Sequence, residues 1–102
     1  MIFEWDENKR LKTLRERGID FIDVADIWDE PNRQERTDNR YHYDETRYQT
    51  IGMLKFEILF VVYTERMLDG DEEVIRIISA RRATSREREL YRNHRFSSEA
   101  AS

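Results

Sequence analysis

The run Phe56–Thr64 constrains this chain more than any other feature. Ile58, Leu59, Phe60, Val61, Val62 and Tyr63 follow one another without a polar residue between them. Successive side chains of a strand point to opposite faces, so this run is apolar on both. A strand of that kind asks for a central place in a sheet. Val74–Ala80 is a second two-sided run, and the two flank a hairpin loop within Met67–Glu73 that holds Asp69–Gly70. Arg47–Met53 reads as another strand, and Ile2–Trp5 as a short first one.

The helices announce themselves at their ends. Asp6 is a natural N-cap with Glu7 in the first turn, and the helix runs to about Arg17. Leu11 and Leu14 mark its buried stripe, Gly18 suits the left-handed residue after the helix, and Ile19 can fold back onto Leu14. Asp20 caps a shorter second helix. Its residues Phe21, Val24, Ala25 and Trp28 fall on one face at i, i+3, i+4 and i+7, and Pro31 ends it. Arg33–Asp44 is a weak, polar stretch with Asp38–Asn39 as a turn between strand-like pieces. Thr84-Ser85-Arg86-Glu87 is a capping box, from which a last helix runs to about His94. Phe96–Ser102 reads as a frayed tail. The sum is an α+β domain, with helices covering an antiparallel sheet. Residues 1–95 form the domain and 96–102 the flexible tail.

Size and composition narrow the function. A chain of 102 residues holds one domain and one core. It has no cysteine, hence no disulfide and no thiolate metal site. No apolar stretch reaches the roughly 20 residues of a membrane span. The start Met1–Asp6 lacks the basic residues and long apolar run of a signal peptide. The expected location is the cytoplasm. The charge is uneven: residues 1–73 carry 11 Lys/Arg against 19 Asp/Glu, whereas residues 74–102 carry seven Arg against three Glu. A pI near 5.3 argues against general nucleic-acid affinity, but a local basic face can still hold phosphate.

The residues suit phosphate chemistry better than metal or nucleophilic chemistry. His42 and His94 stand far apart, outside any ligand motif. The run Asp20, Asp23, Asp26, Asp29, Glu30 reads first as a solvated helix face, and less readily as a partner-docking face or a hard-cation site. Ser79 ends a strand among arginines, with no base in view to activate it. In contrast, Arg76, Arg81 and Arg82 cluster near that strand end, with Arg86 and Arg88 beyond it. A guanidinium grips phosphate through paired hydrogen bonds and keeps its charge. An RNA 2′-OH can attack the adjacent phosphate if cations stabilise the pentacovalent state and protons are moved, and Arg, Lys, Tyr and His suffice for that. A surface salt-bridge network is the plainer reading of the same arginines. Lys9 and Lys12 share one side of the first helix. Trp5 and Trp28 read as core packing before base stacking, and Tyr41, Tyr43 and Tyr48 as strand tyrosines.

Three segments together resemble the BrnT family of toxins from bacterial toxin–antitoxin pairs. They are Phe3-Glu4-Trp5-Asp6-Glu7-Asn8-Lys9-Arg10 running on to Gly18-Ile19-Asp20-Phe21; Arg47–Gly52 followed by Leu59–Arg66; and Arg76-Ile77-Ile78-Ser79-Ala80-Arg81 with Ala83-Thr84 and Glu87-Arg88. The resemblance spans about residues 3–91. It implies a RelE-like fold: a small antiparallel sheet with two N-terminal helices and one C-terminal helix. It also implies an endoribonuclease that needs no metal or cofactor and arrests growth. The implied partner is a BrnA-like ribbon-helix-helix antitoxin, two copies of each chain per complex, with operator DNA contacted only through the antitoxin. Lys9, Arg76 and Arg81 are then the expected catalytic contacts. Lys12, Arg17, Arg66, Arg82 and Trp5 are the expected RNA-binding residues. Related sequences often read Lys-His-Gly where this chain has Glu16-Arg17-Gly18. Arginine cannot exchange a proton near neutral pH. The alternative is therefore a catalytically weak or silent module that acts only as antitoxin partner and corepressor.

Overall fold

A computed structural model describes residues 1–40 and 45–99. The chain runs through β1 (Ile2–Trp5), α1 (Glu7–Arg17), α2 (Phe21–Val24), a 3-10 turn (Ala25–Asp29), β2 (Gln34–Asp38), β3 (Arg47–Leu54), β4 (Glu57–Leu68), β5 (Glu72–Arg82) and α3 (Ser85–Arg92). The five strands form one sheet in the order β1-β5-β4-β3-β2. The two-sided run thus holds the centre, as its pattern requires. Among the described residues no helix is long and apolar enough to cross a membrane.

The sheet is mostly, but not wholly, antiparallel. β1 pairs with β5 in parallel, from Ile2 opposite Val74 to Trp5 opposite Ile77. This corrects the all-antiparallel expectation. The parallel direction decides where α1 lies. β1 ends beside Ile77, so α1 emerges next to the C-terminal half of β5 and covers its outer edge there. α2 and the 3-10 turn then carry the chain across the sheet to β2 on the far edge.

Local chemistry sets the helix ends. The Asp6 carboxylate accepts from the Lys9 backbone N–H at 3.1 Å, and Gly18 closes α1 at φ 70°. Thr84 and Glu87 form the expected capping box. The second helix is a correction. It lasts only Phe21–Val24 and tightens into the 3-10 turn, which swings Trp28 against Phe3 and Tyr63, with ring centroids 5.2 and 5.0 Å away. Gly52 makes room for that turn, since a Cβ there would lie 3.2 Å from the Cβ of Ile27. The break also scatters the acidic run. Asp20 caps α2 and pairs with Arg10, Asp23 pairs with Lys55, and Glu30 accepts from the backbone of Asn32 and Met53.

The core has two parts, one on each face of the sheet. Under α2 and the 3-10 turn lie Ile19, Phe21, Val24, Ile27, Leu59, Val61, Ile77 and Ala80. Under α3 lie Ile51, Ile58, Phe60, Val62, Ala83, Leu90, Tyr91 and Phe96. Phe96 does not open a frayed tail, as its sequence context suggests; it is fully buried. α1 buries no residue completely, so its expected stripe of Leu11 and Leu14 is only half covered.

Three carboxylates give the fold an acid-labile character. The Arg40 side chain, above all, holds Asp38 below the usual carboxylate range. Burial pushes Glu35 and Glu87 up, but hydrogen bonds from Tyr63 and Arg33, and from Arg81 and Thr84, outweigh it and hold both low. A lowered folded-state pKa means that the unfolded chain binds more protons, so these groups stabilise the fold above the ordinary carboxylate range. Glu65 opposes them, raised by burial, Glu73 and Glu35. The net expectation is a urea midpoint that is flat above about pH 5 and declines below about pH 4. Glu87→Gln flattens part of the decline, and a midpoint constant down to about pH 3 would contradict the assignment.

Candidate functional site

β5 carries a bulge where α1 meets it. Val62 pairs with Ser79 and Tyr63 with Ile77, which leaves Ile78 without a partner. Such an extra residue bends the strand and re-aims its neighbours. Here it lets Ile77 and Ala80, three residues apart, both face the core under α2. It also leaves Ser79 exposed at the sheet edge, turned toward α1.

An open cleft of about 240 Å³ lies between α1 and this edge. Lys9, Lys12, Thr13, Glu16 and Arg17 line one wall, and Ile78 and Ser79 the other. Three of the sequence-predicted cations thus meet in one place. Among the described residues the ammonium groups of Lys9 and Lys12 have no hydrogen-bond or ion-pair partner. Arg17 is partly committed: its guanidinium donates to the Ala80 carbonyl at 2.8 Å, and its own carbonyl accepts from Arg82 at 2.6 Å. This exchange clamps the last turn of α1 to β5 and so sets the width of the cleft.

The other predicted residues lie outside it. Arg76 is 3.6 Å from Glu4, its register partner on β1, and Arg66 binds the same carboxylate. The Arg66 hydrogen bond is the main cause that holds Glu4 below its ordinary pKa. Arg81 lies on the α3 side of the sheet. It donates two hydrogen bonds to Glu87, at 2.8 and 2.9 Å, and stacks on Phe60 with its guanidinium 4.1 Å from the ring centre. Arg82 also bonds Glu57 at 3.1 Å. Trp5 packs edge-on to Phe21 and donates its indole N–H to Glu7. The expected cluster is therefore one cleft with four carboxylate-bound arginines around it. Tyr41, His42 and Tyr43 lie outside the described residues, and His94 is exposed beyond α3.

Sequence reasoning did not single out Thr13, Glu16 or Glu4. Glu16 has a local signal, because it sits at i+4 from Lys12 on the same helix face. Glu4 has none, since its role depends on the β1–β5 register. The cleft is ill suited to a divalent ion. Its one carboxylate stands among three cations, whereas such ions take several oxygens. Among the described residues no three His, Asp or Glu side chains converge on a metal-sized site.

Cations on one wall, with the Lys9 and Lys12 ammonium groups unpartnered among the described residues and an exposed hydroxyl opposite, are an arrangement that can hold a phosphate. Residues 5–87 match the family model described as the ribonuclease toxin, BrnT, of type II toxin–antitoxin systems. The chain belongs to the BrnT family. Such a toxin has an antitoxin partner, and the family is a ribonuclease one. A search of curated proteins gives no match. The BrnT match runs from Trp5, where β1 ends, to Glu87 in the first turn of α3, and so contains every residue of the cleft.

Proposed function

We propose that this BrnT-family chain is a metal-independent endoribonuclease that works in the α1–β5 cleft, arrests growth, and is neutralised by a BrnA-like ribbon-helix-helix antitoxin. The supporting observation is the convergence of Lys9 and Lys12, unpartnered among the described residues, with Arg17 and Ser79 beside the bulge. In this reading the scissile phosphate lies against Lys9 and Lys12. The ribose 2′-oxygen bonds to phosphorus as the P–O5′ bond breaks, giving a 2′,3′-cyclic phosphate and a free 5′-OH. Glu16 takes the 2′-OH proton, and the Lys9 ammonium returns one to O5′. The cations bear the charge of the pentacovalent state, which is the role a metal would otherwise fill. Arg76, Arg81, Arg66, Arg82 and Trp5 then flank the RNA rather than touch the reacting atoms.

The same reading includes a RelE-like relation of the fold, a cytoplasmic location and a complex with two copies of each chain. It also has that complex repress its own operon, with DNA touched by the antitoxin alone. A second reading has its own support. Arg66, Arg76, Arg81 and Arg82 are all engaged by carboxylates, and Arg17 by a carbonyl, as in a silent partner of the antitoxin. Induction of the chain in bacteria separates the two. The ribonuclease reading expects fewer viable cells and broken RNA, and purified protein that cleaves RNA equally well in excess EDTA. Normal growth with intact RNA at good soluble expression selects the silent partner.

A further inference from the structure

The β3–β4 hairpin turn has a backbone that its residues do not favour. Leu54 pairs with Glu57, so the loop is the dipeptide Lys55–Phe56, and both residues have positive φ, 50° and 68°. Two-residue turns of this kind take Asn-Gly by preference, because β-carbons crowd the backbone there. A phenylalanine in this position is strained, and it is also 97% exposed. Strain and exposure on one side chain mark a residue held out for something.

Phe56 forms one wall of a second open cavity, of about 280 Å³, on the α3 side of the sheet. Met53, Ile58, Ala83 and Tyr91 make its apolar floor, and Arg82, Arg88 and Arg92 stand around it with one carboxylate, Glu57. Arg82 and Arg88 are held by Glu57 and by the Ala83 carbonyl, while among the described residues Arg92 has no partner. The volume falls just short of the roughly 300–1,000 Å³ of small-molecule pockets. The floor is made of side chains rather than of a strand edge. An apolar trough floored by side chains suits a helix laid in by its apolar face. Three arginines around it call for acidic residues on that helix.

We infer that this groove, with Phe56 as its anchor, is where the antitoxin docks an amphipathic helix whose apolar face is flanked by acidic side chains. The inference rests on the toxin reading for the existence of an antitoxin, not for the site. The groove opens on the face opposite α2 and is distinct from the α1–β5 cleft, so the partner holds the toxin without filling the cleft.

The test uses the whole chain and a labelled helical peptide with leucines at i, i+3, i+4 and i+7 and glutamates on both flanks. Fluorescence anisotropy is expected to show saturable binding. Phe56→Asn and Arg92→Glu are each expected to weaken it about tenfold or more, as loss of an aromatic or charged anchor does. Asparagine tolerates positive φ better than phenylalanine, so the variant keeps or raises the melting temperature, and lost binding cannot be lost folding. A peptide with lysines in place of the glutamates is expected not to bind. No binding of the acidic peptide, equal binding of the lysine peptide, or indifference to both substitutions overturns the inference. Growth arrest by the unsubstituted chain is scored separately: arrest with no binding of the acidic peptide sinks only the groove, and binding of that peptide without arrest sinks only the ribonuclease.

Discussion

Phe96→Ala is expected to cost about 3–5 kcal/mol of unfolding free energy, the range for a buried phenylalanine truncated in a core. Small domains have only about 5–15 kcal/mol in total, so this one change brings the chain near the edge of stability. The size of the effect comes from the contacts the residue makes. Its ring is fully buried among the α3-side core and sits edge-on to Phe60, with centroids 6.2 Å apart. The Arg36 guanidinium covers its other side, 4.0 Å from the ring centre. Its backbone N–H donates to the Gln34 side chain at 2.9 Å, and that same amide donates to the Tyr91 carbonyl at 3.0 Å. Gln34 thus ties the edge strand β2 to α3 and to the segment after it. Urea unfolding measures the loss, with Ser98→Ala as an exposed control expected to stay within about 0.5 kcal/mol. A loss below about 1 kcal/mol for Phe96→Ala means that this segment is not part of the core in solution.

The same residue shows where a sequence stops being legible. A single apolar side chain among arginines and serines has no period, so nothing local separates a docked Phe96 from a frayed one. Features that depend on adjacent residues are readable: the Asp6 cap, the left-handed Gly18, the Thr84–Glu87 box and the central place of Phe56–Thr64. Features that depend on distant partners are not. The period of Phe21, Val24, Ala25 and Trp28 is helical, but Trp28 packs between Phe3 and Tyr63, and the backbone tightens after Val24. The direction of β1 is likewise a matter of its partner. The site divides along the same line. Lys9 and Lys12 are visible as one side of a helix, while the bulge that sets Ser79 opposite them arises from β4–β5 pairing. The arginine cluster is legible as composition. Its separation into a Glu4 pair, a Glu87 pair and a Glu57 pair is not, because two of those carboxylates come from other strands.

Lys9→Ala is expected to lower the rate of RNA cleavage roughly 10²–10³-fold, the loss seen when one preorganised group that meets developing charge is removed. The substitution is clean. Only the backbone of Lys9 serves the Asp6 cap, and its exposed side chain has no partner among the described residues, so folding is expected to be unchanged. Arg81→Ala is less informative. It strips Glu87 of both guanidinium hydrogen bonds and uncovers Phe60, so lost activity there cannot be told from lost structure. Lys12, one turn further on, is expected to act on binding. Lys12→Ala raises KM with little change in kcat, and it lowers the salt slope by about 0.7, one counterion on a single strand. Glu16→Gln lowers kcat without raising KM, since a carboxamide cannot take a proton. Single-turnover cleavage of a labelled oligonucleotide across a salt series measures all three. Unchanged cleavage by both Lys9→Ala and Glu16→Gln excludes the cleft as the reaction site. The chemistry then moves to the open side of the sheet, where Glu4, Arg66 and Arg76 form the next charged cluster.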